Sequence, residues 1–396
     1  MTVTVIGVDA RGLPPGGQAA LTGARLVVGS REHLAAYAPR DARTLDLHPF
    51  GPAADALAAH TDADGPAVVL TSGDPGCFGV VTPLRERGLR VAVLPSLSVV
   101  QHAVAAAGRS WDDVAVVSTA RAGSLGQALN VCRARPAVVV LTTPGAGPAE
   151  LGRGLDGWRR VLVVVEDPGG PAQRVSAVDP ADAVVRHWYD SNVVVCLADA
   201  NAAPKDVWLA GGELVDGWAL PESEFASRDG VRSAELRAVV LARLEPRPGT
   251  LVWDVGAGSG EIGVECARLG AAVVAVESDP VQGVRIVANA AAHGVDVRVE
   301  ESDPRDAVGR LPRPDAVFVG AGGPAVVRAC ATSGARRIVV APHALDEVGP
   351  VRDALRDAGY DVSGVQLTAA PLEDLPGGGV GFAPVRPALV LVGRKR

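Results

Sequence analysis

The stretch "LVWDVGAGSGEIGVECARLGAAVVAVESD", residues 251–279, decides the fold of the C-terminal half of this chain. The first apolar run predicts a buried strand, which is followed by a glycine-rich turn and a predicted helix. A second apolar run predicts another strand, which ends at the carboxylate Glu277. Strand, turn, helix and strand in this order are typical of a parallel α/β sheet. The turn therefore indicates a site for an adenosine-bearing ligand.

The residues of the turn favour S-adenosylmethionine over a dinucleotide. A dinucleotide turn needs a small residue at position 261, where the carboxylate of Glu261 would repel a pyrophosphate, and the lysine of a P-loop is absent. S-adenosylmethionine has no phosphate, and Glu277 can accept hydrogen bonds from both of its ribose hydroxyls. Asp303, after the next strand, is expected near the adenine edge. The residues predicted to hold this ligand are Asp254, Gly256, Ala257, Gly258, Ser259, Gly260, Glu277, Asp303 and Pro304.

Short apolar runs alternate with helical spacers from the first residue, which predicts a second α/β domain upstream. The runs lie at 2–8, 24–30, 66–72, 89–95, 113–119, 137–143, 159–167 and 192–199. The alternation stops near residue 200, in a stretch rich in Gly, Pro and acidic residues. We therefore predict one domain at 1–200, a linker at 201–216 and a second domain at 217–396. Trp208 and Trp218 are expected to be packed rather than left in water.

The later half predicts a doubly wound, Rossmann-like sheet that ends in an antiparallel pair, since its last strand is "RPALVLVGRKR" at 386–396. Its first helix is expected at about 233–245. The aromatic content of 4% and the abundance of Val and Ala indicate cores of short β-branched strands and small-residue helices.

Composition excludes several function classes. The net charge of −7 gives no electrostatic footprint for a nucleic acid, and no apolar run reaches the length of a membrane span. The five cysteines form no C-x-x-C pair and the seven histidines show no ligand spacing, so reduced buried thiols and no bound metal are expected. The N-terminus has no basic targeting segment. A cytoplasmic protein without nucleic-acid or membrane partners follows as the expectation.

The second informative stretch is "VVLTSGDPGCFGVV", residues 68–81, in which Ser72, Gly73, Asp74 and Pro75 follow a predicted strand. Together with "VIGVDARG" at the first strand end and "VAVLPSLSVVQHAVAAAG" at 91–108, it resembles the tetrapyrrole methylase family. The resemblance implies a tetrapyrrole-methylase-like N-terminal domain with its own S-adenosylmethionine cleft. The residues carried over to that cleft are Gly7, Gly73, Asp74, Pro75, Pro95 and Ser98.

The two halves in this order resemble the fused precorrin-6Y C5,C15-methyltransferase (decarboxylating) family of cobalamin biosynthesis. The motifs that carry the resemblance include "SGDPGCFG", "LTTPGAGPAEL", "LPESEF", "WDVGAGSGEIGVECARL" and "FVGAGG". It implies that the N-terminal domain methylates C5 of precorrin-6B, and that the C-terminal class I methyltransferase domain methylates C15 and removes the C12 acetate carboxyl, giving precorrin-8. The resemblance also implies that each domain binds one S-adenosylmethionine, that no metal is bound and that the protein is a homo-oligomer.

The implied chemistry asks for few catalytic groups. The bridging carbons of a reduced tetrapyrrole are enamine-like nucleophiles and the sulfonium methyl is already activated, so the protein mainly aligns them. Decarboxylation uses the conjugated ring as electron sink, and the chain does not reveal its proton donor. The candidates for a catalytic role are Arg121, Arg232 and His343, because arginine suits carboxylate side chains of the substrate and His343 ends a strand at the cleft. Arg232 or Ser233 stands where the family carries a ligand-contacting threonine.

Three other functions remain open. An RNA methyltransferase would share the cofactor signatures but should show a basic stripe or stacking aromatics. A nicotinamide-dependent oxidoreductase is disfavoured by Glu261. A non-catalytic S-adenosylmethionine-binding protein would bind the ligand without turnover.

Overall fold

The computed structural model describes residues 2–199, 217–228 and 230–395. The predicted linker at 201–216, with Trp208, lies outside the described residues. The described chain forms two compact units, one of residues 2–121, 139–153 and 161–199, the other of residues 122–138, 154–160 and 217–395. The predicted domain bounds of 1–200 and 217–396 stay a prediction.

The first unit begins with a parallel five-stranded sheet whose strand order is 3-2-4-1-5. Its strands are β1 (Thr2–Val8), β2 (Leu26–Gly29), β3 (Arg43–Asp46), β4 (Ala67–Ser72) and β5 (Arg90–Leu94). The helices between and after them are α1 (Gly17–Leu21), α2 (Arg31–Tyr37), α3 (Phe50–Ala59), α4 (Val81–Glu86) and α5 (Val99–Ala106). Because the strands are parallel, the loops that follow β1, β4 and β5 meet at one edge.

A second five-stranded sheet follows, with the order β6-β7-β10-β8-β9. Its strands are β6 (Ala115–Ser118), β7 (Ala137–Leu141), β8 (Val161–Glu166), β9 (Arg174–Val178) and β10 (Asn192–Leu197). The helices in this stretch are α6 (Ser124–Ala134), α7 (Pro148–Gly154) and α8 (Pro180–Val185). Strand β8 pairs antiparallel with both β9 and β10.

The second unit is built on a seven-stranded sheet of order β13-β12-β11-β14-β15-β19-β16. Its strands are β11 (Leu251–Val255), β12 (Ala272–Glu277), β13 (Arg298–Glu301), β14 (Ala316–Val319), β15 (Arg337–Val340), β16 (Tyr360–Leu367) and β19 (Ala388–Lys395), with a hairpin of β17 (Leu372–Asp374) and β18 (Val380–Phe382) before β19. The helices are α9 (Ala234–Leu244), α10 (Glu261–Arg268), α11 (Pro280–Ala292), α12 (Pro304–Ala307), α13 (Gly323–Ala331) and α14 (Leu345–Asp357). Strands β11 to β15 are parallel, and β19 is antiparallel to both neighbours.

The core of this unit has two layers, one on each face of the sheet. Leu251, Trp253 and Val255 of β11 enter one apolar cluster, and the alternate residue Val252 enters the other. All five residues of β11 are buried, as expected for a parallel strand that is covered by helices on both faces. The sheet therefore holds the turn after β11 at the carboxyl edge, beside the turns after β12 and β14.

The predicted fold class, α/β with a Rossmann-like C-terminal domain and a final antiparallel pair, is confirmed. Strands β3 and β9 and the hairpin β17–β18 were not predicted, because they are short and much of their surface is exposed. The expectation for Trp218 is wrong, since 54% of its surface is exposed. Four of the five cysteines are buried free thiols and Cys77 is half-buried. Among the helices of the described residues, none combines the length and apolar character that a membrane crossing requires.

Candidate functional site

The glycine turn after β11 requires glycine for two different reasons. Gly256, Gly258 and Gly260 all have positive φ, at 65°, 59° and 80°. A side chain on Gly256 would meet Ala321 at 2.9 Å, and one on Gly260 would meet Ile286 at 2.9 Å, whereas a Cβ on Gly258 meets nothing within 4 Å. Two glycines therefore allow close packing, and the middle one leaves open space above the turn.

The carboxylate at the end of β12 holds this turn in place. Glu277 accepts a hydrogen bond from the backbone N–H of Gly258 at 2.8 Å and another from that of Asp279 at 3.0 Å. Each carboxylate oxygen keeps a further lone pair, so Glu277 can still accept from a ligand hydroxyl. The predicted ribose acceptor thus also fixes the glycine turn.

Two cavities open on either side of Glu277 and share Gly256, Glu277 and Ala321 as lining residues. The larger, of about 540 Å³, is also lined by Arg232, Ser259, Glu261 and His343. The smaller, of about 410 Å³, also takes in Asp303 and Pro304. The structure therefore brings two of the three catalytic candidates and most of the predicted ligand residues of this half to two neighbouring cavities, together called the cleft below.

An ion pair lines the larger cavity. Arg232 contacts Glu261 at 2.7 Å and donates a second hydrogen bond to the carbonyl of Gly320 at 3.0 Å. The other oxygen of Glu261 accepts from the hydroxyl of Ser259 at 2.9 Å. The guanidinium carbon of Arg232 lies 5.3 Å from the ring centre of Phe318. The charge of Glu261 is thus balanced by a neighbour that is distant in sequence.

A second, fully buried ion pair lies one helical turn further along α10. Arg237 contacts Glu265 at 2.8 Å, and both side chains are 0% exposed. Arg237 also donates to the carbonyls of Arg232 and Leu220, and Glu265 accepts from the backbone N–H of Ala219. This buried pair therefore fixes the backbone at Arg232, immediately beside the cavity.

Asp254 is a buried acid beneath the turn. Burial, with a further contribution from the charge of Glu261, raises the pKa of Asp254 to about 8. One carboxyl oxygen accepts from the backbone N–H of Gly263 at 2.8 Å, while the other has no hydrogen-bond partner among the described residues. Asp254 is therefore neutral near pH 7, and its role is to hold the first turn of α10 against β11.

Asp303 and Pro304 form the start of α12 at the rim of the smaller cavity. Asp303 caps the helix by accepting from the backbone N–H of Arg305 at 2.8 Å, and it pairs with the Arg305 guanidinium at 2.6 Å. These hydrogen bonds lower the pKa of Asp303 to about 2. The predicted adenine-edge carboxylate therefore stays ionised and remains accessible. Ala257 and Ser259, by contrast, are buried.

The cleft fits the chemistry of S-adenosylmethionine. The open space above Gly258 would be occupied by a Cβ, and the carboxyl oxygens of Glu277 are hydrogen-bond acceptors at the end of β12. The two cavities are lined by acidic residues rather than by a cluster of phosphate-binding groups. Glu277 would hold the ribose, the turn would approach the ligand through its backbone, and the bound molecule would supply the activated methyl group. Ligand roles of these residues remain predictions.

The N-terminal candidate site lies where β1, β4 and β5 end. A cavity of about 630 Å³ is lined there by Asp9, Arg11, Asp74, Pro95 and other residues of the three loops. Asp74 accepts from the backbone N–H of Gly76 at 2.8 Å, which fixes the loop after β4. The site therefore occupies the same kind of position, the carboxyl edge of a parallel sheet, as the one in the second unit.

Gly7 lies in close contact with the loops after β4 and β5. A Cβ on Gly7 would lie 2.1 Å from the carbonyl oxygen of Gly73, 2.8 Å from the backbone nitrogen of Ser96 and 3.1 Å from Pro75. The Ser96 hydroxyl donates to the Gly7 carbonyl at 3.0 Å. Gly73 itself has a φ of 65°. The predicted residues Gly7, Gly73 and Pro75 therefore pack against one another beneath the cavity.

Ser98 has a structural role. Its hydroxyl accepts from the backbone N–H of Gln101 at 3.2 Å, and the Gln101 side chain accepts from the Ser98 N–H at 2.8 Å, which together form a capping box for α5. Only 3% of the Ser98 surface is exposed. Its contact with a ligand stays a prediction, whereas its hydrogen bonds with Gln101 at the start of α5 are present in the structure.

The third catalytic candidate lies elsewhere. Arg121 is exposed in the loop after β6 and does not line the 630 Å³ cavity. Sequence reasoning missed Gln101, Arg11 and Asp9 at the N-terminal cavity, and it used Glu261 only to exclude a dinucleotide. A carboxylate at the start of a helix beside a glycine turn was the available signal for Glu261. Within the described residues, no group of His, Cys, Asp and Glu is arranged to hold a metal ion.

Comparison with known families matches both parts of the chain. The model of the tetrapyrrole (corrin/porphyrin) methylases matches residues 2–183, and that of the precorrin methyltransferase domain matches residues 224–390. The two sites described above each fall within one of these matches. The chain thus carries two methyltransferase matches in tandem.

Individual relatives match across both halves. The precorrin-6Y C(5,15)-methyltransferase (decarboxylating) of Sinorhizobium sp is 33% identical in an alignment of length 271 that covers 65% of this chain and 62% of the relative. The Mycobacterium tuberculosis protein of the same name is 34% identical in an alignment of length 284 that covers 67% of this chain and 66% of the relative. The chain thus matches slightly less than two thirds of the length of these curated relatives.

Among solved structures, the C-terminal domain of precorrin-6Y C5,15-methyltransferase from Rhodobacter capsulatus is similar to 45% of this chain. It is 29% identical, 97% of that domain is covered, and the TM-score is 0.40. The order of the two family matches and the identity with the curated relatives agree with each other. The chain belongs to the precorrin-6Y C5,C15-methyltransferase (decarboxylating) family.

Proposed function

We propose that this chain methylates a precorrin at C5 and C15 and removes the carboxyl group of the C12 acetate, as a step of cobalamin biosynthesis. The observation that carries the proposal is the presence, in one chain, of two separate cavities, each at the carboxyl edge of a parallel sheet, where ligands of such sheets usually bind. The names of the curated relatives support this reaction. The substrate is precorrin-6B and the product is precorrin-8.

Each domain binds its own S-adenosylmethionine and no metal takes part. In the C-terminal domain, Glu277 accepts from the ribose, the turn at 256–260 faces the ligand with backbone, and Asp303 and Pro304 border the adenine. In the N-terminal domain, the loop of Gly73, Asp74 and Pro75 and the loop that begins at Pro95 enclose the second molecule. The N-terminal domain methylates C5, and the C-terminal domain methylates C15 and decarboxylates.

The protein contributes alignment more than acid–base chemistry. In both methyl transfers, a nucleophilic bridging carbon of the ring would attack the methyl carbon of the sulfonium, the C–S bond would break, and S-adenosylhomocysteine would leave. The residues need only hold the two reactants in line. For decarboxylation, the C–C bond to the carboxylate breaks, carbon dioxide leaves, and the electron pair of that bond enters the conjugated ring. The remaining methylene carbon then takes up a proton and becomes a methyl group. His343 lines the larger cavity and is exposed, so it is the residue that we assign to move this proton.

The chain acts as a homo-oligomer in the cytoplasm, without nucleic-acid or membrane partners. Support for self-association comes from the hairpin β17–β18, where Leu372, Val380 and Phe382 are 68%, 63% and 74% exposed. The net charge of −7 disfavours RNA as the substrate. Sedimentation of the wild type and of a Phe382→Ser variant tests the oligomer, and a monomeric wild type would contradict it.

The reaction is tested by incubating the full chain with precorrin-6B and isotopically labelled S-adenosylmethionine, followed by mass spectrometry of the product. Gain of two methyl groups and loss of carbon dioxide are expected. A His343→Ala variant should keep both methyl transfers and accumulate the dimethylated, undecarboxylated product. Binding of S-adenosylmethionine without turnover would favour a non-catalytic binding protein, and label transferred to RNA would favour an RNA methyltransferase.

A further inference from the structure

The larger cavity of the second unit presents two opposite charges side by side. Arg232 and Glu261 both line it, with their charged atoms 2.7 Å apart, and their side chains are 20% and 3% exposed. Exposed ion pairs contribute little to stability, but a pair at the wall of a cavity offers adjacent positive and negative groups to a ligand. The chemical class that matches both charges at once is an α-amino acid zwitterion.

Neighbouring residues hold the two side chains in fixed positions. The Arg232 guanidinium is held by the Gly320 carbonyl at 3.0 Å and lies over the Phe318 ring, and its backbone carbonyl accepts from the buried Arg237. The second oxygen of Glu261 is bonded to Ser259 at 2.9 Å. Such a preorganised pair loses little side-chain freedom when a ligand binds.

The pair lies close to the glycine turn. A Cβ on Gly320 would meet a guanidinium nitrogen of Arg232 at 2.7 Å and the Gly256 carbonyl at 2.9 Å, so the guanidinium lies close to the residues that follow β14 and β11. Glu277 lines the same cavity and, like Gly256, also lines the smaller one. A ligand whose ribose is held by Glu277 therefore has room to extend its other end towards Arg232 and Glu261.

The net charge of the cavity also fits. Two acidic residues, Glu261 and Glu277, and one arginine, Arg232, line it, while Asp254 beneath the turn is neutral near pH 7. S-adenosylmethionine carries a sulfonium, an ammonium and one carboxylate, so its single positive charge balances the single excess negative charge of the wall.

We propose that Arg232 and Glu261 form a clamp for the amino-acid end of S-adenosylmethionine, in which Arg232 binds the carboxylate and Glu261 binds the ammonium. The clamp rests on the proposed function insofar as S-adenosylmethionine is the ligand. Each residue keeps unused capacity for the contact, because the Arg232 guanidinium has N–H groups beyond those bonded to Glu261 and Gly320 and the Glu261 oxygens have further lone pairs. The clamp explains why this chain tolerates a carboxylate at position 261.

Ligand analogues test the clamp without turnover. Calorimetry of the full chain would use S-adenosylmethionine, its decarboxylated analogue, its desamino analogue and 5′-methylthioadenosine, which lacks the amino-acid end. The variant Arg232→Met should lower the affinity for S-adenosylmethionine about 10- to 100-fold. Its affinity for the decarboxylated analogue should change less than about threefold. The variant Glu261→Gln should lower the affinity for S-adenosylmethionine but not the affinity for the desamino analogue. Neither variant should change the affinity for 5′-methylthioadenosine.

Two controls separate a specific contact from a general disturbance. The double variant Arg232→Met/Glu261→Gln removes both charges and leaves no unpaired carboxylate, so it should fold and bind all four ligands with the affinity of 5′-methylthioadenosine. The variant Arg305→Met removes the arginine at the other cavity, beside Asp303, and should change the affinity of all four ligands by one common factor. The binding site of the N-terminal domain serves as an internal reference in every titration.

The possible outcomes distinguish the clamp from the function on which it rests. If Arg232→Met lowered the affinity for all four ligands equally, the ion pair would only support the glycine turn. This result would overturn the clamp. Unchanged S-adenosylmethionine affinity together with a raised KM for the tetrapyrrole would assign Arg232 to a substrate carboxylate and would also overturn it. If the wild type bound none of the four ligands, the proposed function itself would fail.

Discussion

Arg237 and Glu265 face each other at 2.8 Å with both side chains fully buried, and together they fix the backbone of two segments that lead to the C-terminal cavity. Burying two charges costs much of what their attraction returns, so such a pair contributes less to net stability than to position. Its removal can therefore separate stability from ligand binding.

Breaking this buried pair on one side should be costly. Arg237→Met or Glu265→Leu alone leaves an unpaired buried charge and should lower the free energy of unfolding by about 3–5 kcal/mol. The double variant Arg237→Met/Glu265→Leu should lose far less or gain stability, while its affinity for S-adenosylmethionine falls because Arg232 is no longer held. Urea unfolding and calorimetry measure the two effects. Additive losses in the double variant would refute this account.

The titration of Asp254 predicts a pH dependence of stability. Because burial and the charge of Glu261 raise the pKa of Asp254 from 3.8 to about 8, the folded chain keeps a proton that the unfolded chain releases between these values. Stability should therefore fall as pH rises through this window, by up to about 1.4 kcal/mol per pH unit, and level off above pH 8.

The variant Asp254→Asn should flatten that slope, since the amide oxygen still accepts from the Gly263 N–H and no longer titrates. Urea unfolding at several pH values between about 5 and 8 gives the slopes. Asp303→Asn is the matched control: the pKa of Asp303 is lowered to about 2, so its contribution is lost only as pH falls below the usual carboxyl range. An unchanged slope in Asp254→Asn would mean that Asp254 is ionised in the fold.

Alanine substitutions in the glycine turn should separate packing from ligand access. Gly260→Ala should destabilise the fold by about 1–3 kcal/mol, because the new Cβ meets Ile286 at 2.9 Å. Gly258→Ala should cost about 1 kcal/mol for its positive φ yet weaken S-adenosylmethionine binding more strongly, because its Cβ enters the open space above the turn. Thermal unfolding and calorimetry compare the pair, and the reverse ranking would contradict the geometry.

Gly7→Ala should disable the N-terminal site alone. Its Cβ would lie 2.1 Å from the Gly73 carbonyl, so the loops after β1 and β4 must separate. We expect C5 methylation to be lost while C15 methylation is retained. Mass spectrometry should therefore show a product with one added methyl group that has also lost carbon dioxide. Gly51→Ala is the control, because a Cβ there meets nothing within 4 Å. Loss of both methylations in Gly7→Ala would argue against the division of labour.

The sequence alone determined most of the α/β architecture and the two strand-end turns beside which the candidate cavities lie. Buried parallel strands read as continuous apolar runs, and positive-φ turns demand glycine, so β11, the turn at 256–260 and the terminal Glu277 were predictable from local residue types. The short, exposed strands β3 and β9 lacked this signal. The S-G-D-P stretch at 72–75 was identified instead by its resemblance to the tetrapyrrole methylase family.

Only the tertiary structure decided which distant side chains meet. Arg232 precedes Glu261 by 29 residues, and nothing in their spacing predicts a contact of 2.7 Å, because it depends on how α9 packs against α10. Burial likewise gives Asp254 its raised pKa. Local periodicity encodes secondary structure, whereas pairing of charges and desolvation arise from packing between elements that are far apart in the chain.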